Sequence, residues 1–133
     1  MSTTTTKAGV IGWPVNHSLS PRLHGFWLDR YGIDGTYEAI AVDPAALGDE
    51  LGRLAGLGYA GLNVTVPHKQ AALKRMTTLS DTARRIGAVN TITFDKDKSA
   101  LHGDNTDGYG FLENLLAAGC GFDATRGPAV VLG

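Results

Sequence analysis

The stretch Asn63-Val64-Thr65-Val66-Pro67-His68-Lys69 marks the point where a predicted strand gives way to a predicted helix. Residues 59–66 are small or β-branched, which is typical of a short buried strand. Good helix formers occupy 71–75, and Pro67 suits the first turn of a helix over 67–76. Lys69 should therefore lie in the first turn of that helix. In open α/β sheets, this carboxyl edge is where ligands bind.

A lysine at this position needs a compensating charge, because a helix N-terminus carries partial positive charge and disfavours cations. Asp107 is the predicted partner of Lys69, since it also follows a predicted strand and opens a predicted helix. If those two strands are neighbours, the two side chains meet at the carboxyl edge. Asn63, Thr65 and Asn90 are polar residues at predicted strand ends, so they could bond the hydroxyls of a ligand. Satisfying turns and backbone groups is their alternative role.

Strands alternate with helices along the whole chain, which predicts an α/β fold. The expected architecture is a three-layer α/β/α sandwich with a mainly parallel sheet. Residues 88–94 and 101–104 flank a charged turn and predict a β-hairpin. The large apolar residues at helical spacing are predicted to be core; they include Trp13, Trp27, Phe111 and the leucines 47, 51, 54 and 57.

The chain divides into three predicted parts. Residues 1–7 form a polar, threonine-rich tail that is expected to be disordered, and residues 8–122 form the domain. Residues 123–133 are a linker followed by an apolar strand that ends at Gly133. A strand followed by glycine is how a dinucleotide-binding fingerprint begins, although on its own this pattern fits a last core strand better.

Composition excludes several classes of function. Twelve basic and thirteen acidic side chains leave no basic stripe for a nucleic acid. No apolar run approaches the length needed to span a membrane. Cys120 is the single cysteine, so an internal disulfide is excluded and a reducing cytoplasm is expected. The four histidines lack the spacing of a metal site.

Two groups of residues could carry chemistry. A lysine ammonium held by a carboxylate, as predicted for Lys69 and Asp107, suits a reaction in which a carbonyl oxygen gains charge and then a proton. A structural ion pair is the alternative and, on these residues alone, the more frequent one. Ser18 and Ser20 precede a predicted helix N-terminus, where two hydroxyls could bind an anion or carboxylate. Simple capping by Ser20 is the alternative there.

Four motifs, in this order, closely resemble those of shikimate dehydrogenase. They are Gly12-Trp13-Pro14-Val15 with His17-Ser18-Leu19-Ser20-Pro21, then Asn63 to Lys69, then Gly87-Ala88-Val89-Asn90-Thr91, then Gly103-Asp104-Asn105-Thr106-Asp107-Gly108. That family reduces 3-dehydroshikimate to shikimate with NADPH, on the route to aromatic amino acids. The resemblance covers the chain from Ala8 to Gly133 and implies that this region is the substrate-binding domain.

The resemblance also implies a role for each candidate residue. Lys69 and Asp107 would be the catalytic pair, and Ser18 and Ser20 would hold the substrate carboxylate. The residues expected to contact the ring hydroxyls or shape the pocket are Asn63, Thr65 and Asn90. NADP would be bound by a region beyond this chain, with Gly133 as the first cofactor-binding residue. The chain alone is then expected to be inactive.

The expected partners are shikimate and 3-dehydroshikimate, in a monomer or homodimer. A quinate or dual quinate/shikimate dehydrogenase is one alternative, and Ser18 and Ser20 favour shikimate modestly. A non-catalytic ligand-sensing module is another alternative. Lys69 and Asp107 argue against it, because a sensor need not keep a proton-transfer pair.

Overall fold

The computed structural model describes residues 5–97, 99–119, 121–123, 125–130 and 132. The strands in the described residues are β1 (Thr6–Gly12), β2 (Gly35–Ala41), β3 (Tyr59–Val64), β4 (Thr78–Leu79), β5 (Thr91–Phe94) and β6 (Leu101–Asp104). The α-helices are α1 (Ser20–Tyr31), α2 (Leu47–Gly56), α3 (Lys69–Leu73), α4 (Asp81–Ile86) and α5 (Asp107–Ala117). A 3-10 turn at Pro44–Ala46 leads into α2.

The six described strands form one sheet in the order β2-β1-β3-β5-β6-β4. The pairs β1–β2, β1–β3 and β4–β6 are parallel, while β5 is antiparallel to both β3 and β6. All of these strands except β5 therefore run in one direction. The predicted α/β class, the mainly parallel sheet and the β5–β6 hairpin are confirmed. The two-residue strand β4 was not predicted, because it is too short to show a pattern.

Helices lie on both faces of the sheet. Leu47, Leu51 and Leu54 of α2 are buried in one core cluster with the inward-facing residues of β3, among them Leu62. Successive side chains of a strand point to opposite faces, so Asn63 points away from that cluster. Helix α1 lies on the Asn63 side, where His24 stacks on a tyrosine of β2 that bonds to Asn63. The domain is thus layered as helix, sheet and helix.

The predicted core is only partly correct. The leucine stripe of α2 is buried, but Trp13, Trp27, Phe111 and Leu57 are all exposed. Helices α1 and α5 contain no buried residue at all. The spacing of apolar residues identifies those that share a helix face, but it does not show whether another element covers that face.

The predicted N-terminal bound of the domain needs correction. Residues 1–4 lie outside the described residues, but β1 begins at Thr6, where the backbone N–H donates to the Asp34 carbonyl at 3.0 Å. Thr6 and Lys7 therefore belong to the sheet and not to the predicted tail. Residues 128–130 and 132 are not paired with the described sheet, and the strand predicted up to Gly133 stays a prediction because residues 131 and 133 lie outside the described residues. Cys120 and Gly133 lie outside the described residues.

We expect Gly61→Ala to destabilise the domain, because strand β3 packs closely against β5 there. A Cβ atom at Gly61 would lie 2.6 Å from the Ile92 carbonyl oxygen, and this backbone atom cannot swing aside. The expected loss is about 1–3 kcal/mol in the free energy of unfolding, measured by urea denaturation. Gly52 in α2 is the matched control, since a Cβ there meets nothing within 4 Å. Gly52→Ala should stabilise the chain by about 0.5–1 kcal/mol. An unchanged free energy of unfolding in Gly61→Ala would contradict the close β3–β5 contact.

Candidate active site

The carboxyl ends of β3 and β6 and the beginning of β5 meet at one edge of the sheet. The sequence predicted that Lys69 and Asp107 would meet if the strands before them were neighbours. Strands β3 and β6 are not neighbours, because β5 lies between them. Since β5 runs in the opposite direction, Asn90, just before its first residue, lies at the edge where β3 and β6 end. Polar residues that follow β3 and β6 and precede β5 therefore converge.

Lys69 and Asp107 form an ion pair at this edge. The distance from Lys69 Nζ to Asp107 Oδ2 is 2.5 Å. Lys69 is the first residue of α3 and Asp107 is the first residue of α5. The two side chains are 33% and 54% exposed, so the pair stands at a surface that a ligand can reach.

The loop before Lys69 is held by hydrogen bonds to β1 and β2. The Thr65 N–H donates to the Ile11 carbonyl at 2.9 Å. His68 is 1% exposed, and its Nε2 lies 2.8 Å from the Val42 carbonyl oxygen. Pro67 follows a cis peptide bond and precedes the helix, so it does not occupy the first turn as predicted. Buried His68 had no sequence signal beyond its position next to Lys69.

Asn90 holds Asp107 from the other side. Its Nδ2 donates to Asp107 Oδ1 and to Thr106 Oγ1, both at 2.9 Å. Its Oδ1 accepts from Thr91 Oγ1 at 2.9 Å and from the Thr106 N–H at 3.0 Å. The Asp107 carboxylate is therefore bound by Lys69 on one oxygen and by Asn90 on the other, which fixes its orientation.

This arrangement lowers the pKa of Asp107. Burial alone would raise the pKa, but the hydrogen bonds from Lys69 and Asn90 and the Lys69 charge outweigh burial and hold it below the usual range of an aspartate. Because the pKa in the folded state is depressed, the contribution of the ion pair is present above the unfolded pKa. It is lost as pH falls through the folded pKa of Asp107.

We expect the Asp107 carboxyl to titrate with a midpoint below the usual range of an aspartate in a carbon-detected NMR experiment. Lys69→Met should raise that midpoint, because the hydrogen bond and the positive charge are both removed. Asp97 is the internal control, since the pKa of its carboxyl is lowered by Ser99 and not by Lys69. An Asp107 midpoint that stays the same in Lys69→Met would show that the ion pair does not persist in solution.

Asn63 and Thr65 are brought to the same edge by β3. Asn63 Oδ1 accepts a hydrogen bond from the Tyr37 hydroxyl at 2.7 Å. Asn63 Nδ2 lies 3.5 Å from both the Asn90 carbonyl and Thr91 Oγ1. Tyr37 was not singled out from the sequence. The pattern of a strand does not show that a tyrosine of β2 reaches across β1 to a residue of β3.

The capping that was considered for Ser20 is not present. Helix α1 begins at Ser20, whose side chain is not the N-cap, and the cap position is Leu19. Instead, the Ser20 N–H donates to Ser18 Oγ at 3.2 Å. The Ser20 side chain lies close enough to the Tyr37 hydroxyl to act against the rise in its pKa. Tyr37 therefore lies between Ser20 and Asn63, and its hydroxyl donates to Asn63.

Two other kinds of site are absent from the described part of the chain. Within it, no cluster of three or more His, Cys, Asp or Glu side chains is placed to hold a metal ion. No helix there is long and apolar enough to cross a membrane. The candidate site is thus the sheet edge where polar side chains converge on Lys69 and Asp107.

The sequence profile of the shikimate dehydrogenase substrate binding domain matches residues 10–92, more than half of the chain. The chain belongs to this family. It is 64% identical over 126 residues to the NADP(+) shikimate dehydrogenase of Rhodospirillum rubrum, covering 95% of this chain and 44% of that protein. The Paramagnetospirillum magneticum shikimate dehydrogenase (NADP(+)) is 53% identical over 133 residues, covering 100% of this chain and 48% of that protein.

A solved structure of the family has the same fold. Shikimate 5-dehydrogenase from Thermus thermophilus, in complex with NADP(H) and shikimate, superposes with a TM-score of 0.80 at 43% identity. The match covers 86% of this chain and 42% of that one. The resemblance predicted from the four motifs is therefore confirmed. The chain spans less than half the length of these relatives.

Proposed function

We propose that this chain is the substrate-binding part of an NADP-dependent shikimate dehydrogenase. The enzyme would reduce 3-dehydroshikimate to shikimate in the shikimate pathway of aromatic amino acid biosynthesis. The observation that carries the proposal is the contact between Lys69 and Asp107 at the carboxyl edge of the sheet. It is supported by the 64% identical relative, which is a shikimate dehydrogenase (NADP(+)).

Lys69 and Asp107 are the proposed catalytic pair. NADPH supplies the hydride when it is bound, and we place its site on the part of the relatives that lies outside the span of this chain. Lys69 holds a proton at Nζ, next to the position where a substrate carbonyl oxygen gains negative charge, so it can stabilise that charge and then donate the proton. Asp107 keeps the ammonium in place and can accept a hydrogen bond from a neighbouring substrate hydroxyl.

The other polar residues are proposed to hold the substrate. Ser18 and Ser20 lie at the start of α1, where the helix dipole favours a negative charge, and are assigned to the substrate carboxylate. Asn63, Thr65 and Asn90 are assigned to the ring hydroxyls or to the shape of the pocket. The substrate would then lie along the sheet edge, with its carboxylate at the serines and its reacting carbon at Lys69.

Steady-state kinetics on the complete enzyme test this proposal. We expect NADPH oxidation with 3-dehydroshikimate, and a kcat/KM for shikimate that exceeds that for quinate. A higher kcat/KM for quinate would assign the enzyme to the quinate-using alternative. Shikimate binding without any turnover, in the presence of NADP, would instead support a ligand-sensing module and overturn the enzymatic role.

A further inference from the structure

Tyr37 of β2 occupies a central position among the candidate residues without having been assigned a role. Its hydroxyl donates to Asn63 Oδ1 at 2.7 Å. Its ring stacks on His24 of α1, with ring centroids 3.9 Å apart and an angle of 3° between the planes. The rings of His24 and Trp27 are nearly perpendicular, with centroids 5.2 Å apart. Tyr37 is therefore one of the points where α1 is attached to the sheet.

The Tyr37 hydroxyl is kept protonated. Burial raises the pKa of Tyr37 to about 12, although a hydrogen bond with the Ser20 side chain acts in the opposite direction. The phenol is a hydrogen-bond donor at neutral pH, as at the ordinary tyrosine pKa, and the raised pKa extends this to higher pH. Because its proton goes to Asn63 Oδ1, the Asn63 carboxamide is fixed with Nδ2 directed to Asn90 and Thr91.

A continuous series of polar contacts runs from Tyr37 to the ion pair. Asn63 Nδ2 lies 3.5 Å from Thr91 Oγ1, and Thr91 Oγ1 donates to Asn90 Oδ1 at 2.9 Å. Asn90 Nδ2 then donates to Asp107 Oδ1 at 2.9 Å. Tyr37 thereby lies between the serine end of the site and the Lys69–Asp107 end.

The attachment of α1 at this point matters because the helix has no buried residue of its own. A helix with little apolar burial is held by few contacts and opens more easily than the rest of a domain. Helix α1 carries Ser20, and the stacking of His24 on Tyr37 lies one turn beyond it. The position of Ser20 relative to Asn63 therefore depends on Tyr37.

We propose that Tyr37 is a positioning residue for a hydroxylated cyclic carboxylate. Its phenol orients the Asn63 carboxamide, and its ring, stacked on His24, holds the first turns of α1, and with them Ser20, against the sheet. This inference rests on the proposed function, since it assumes that the serines bind the carboxylate and Asn63 contacts the ring side. The inference adds Tyr37 as the residue that sets the spacing between the serines and Asn63.

Tyr37→Phe in the complete enzyme tests the proposal, because phenylalanine keeps the ring that stacks on His24 and removes only the hydroxyl. We expect the KM for shikimate to rise about 3- to 10-fold, the loss that one neutral hydrogen bond accounts for. The kcat and the KM for NADP should change by less than about twofold. In an Asn63→Ala background, Tyr37→Phe should change the KM for shikimate by less than about twofold, because the group that Tyr37 orients is already absent.

Tyr59→Phe is the matched control. The Tyr59 hydroxyl also donates to an acceptor, Glu38 Oε1 at 3.3 Å, but Tyr59 lies at the opposite end of β3. Its KM for shikimate should equal that of the unmodified enzyme. An unchanged KM for shikimate in Tyr37→Phe would overturn the role of Tyr37 and leave the proposed function standing. The same rise in KM when Asn63 is alanine would do so too. An unmodified enzyme that does not oxidise shikimate would overturn the proposed function, and the role of Tyr37 with it.

Discussion

We expect Lys69→Ala to lower kcat by about 10²–10⁴-fold in the complete enzyme, which is the range for a positioned proton donor. The KM for shikimate should rise far less. Lys69 acts mainly when charge develops on the carbonyl oxygen, so its loss affects the transition state more than substrate binding. Initial rates of shikimate oxidation over a range of shikimate concentrations separate the two constants.

Two further variants show whether the effect belongs to the ammonium of Lys69. Lys69→Arg should not restore kcat, because a guanidinium is a poor proton donor at neutral pH and has a different shape. Lys74→Ala is the control, since it removes an exposed lysine directly after α3 and should leave kcat unchanged. A near-normal kcat with a raised KM in Lys69→Ala would make Lys69 a binding residue. The proton donor would then be sought at Asp107 or an ordered water.

Asp107→Asn is the second variant with a large expected effect. We expect kcat/KM for shikimate to fall by about 10²-fold or more, with a lower kcat and a higher KM. The rate falls because Lys69 loses the carboxylate that lies 2.5 Å from its Nζ. Binding weakens because the site loses a charged acceptor for a substrate hydroxyl, and hydrogen bonds to charged groups are the stronger ones.

Asp95→Asn is the matched control for Asp107→Asn. Asp95 is 52% exposed, close to the 54% of Asp107. It follows the last residue of β5, at the sheet edge opposite the site. Its kinetics should equal those of the unmodified enzyme. If Asp107→Asn changed KM alone, the carboxylate would be a substrate ligand that does not support Lys69.

The ion pair of Lys69 and Asp107 was predictable because each residue follows a strand and opens a helix, and such residues gather at one sheet edge. The order of the strands was not predictable from the same pattern. Residues 88–94 predicted a hairpin, but nothing local shows that β5 is inserted between β3 and β6. That insertion brings Asn90 to the ion pair, so the support of Asp107 became visible only in the structure.

The first helix shows a second limit of sequence reasoning. Ser20-Pro21 predicted a capped helix start, and Trp27 was predicted to be core. The helix is present, but the Ser20 side chain is not its cap, and Trp27 is exposed with the apolar residues beside it. Local spacing determines the helix, whereas the contacts of its faces depend on which elements lie beside it. The contacts of Tyr37 could not be predicted for the same reason, because they depend on the elements that lie beside β2.

The most direct test of the proposed site is an NMR titration of the isotopically labelled chain with shikimate. We predict weak, saturable shifts of backbone and side-chain signals at one sheet edge, with NADPH causing none there. The affected residues should be Ser18, Ser20, Asn63, Thr65, Lys69, Asn90 and Asp107. Saturable shifts confined to another part of the chain, such as the surface cavity lined by Phe122 and Arg126, would contradict the site. The absence of any shift at millimolar shikimate would contradict it equally.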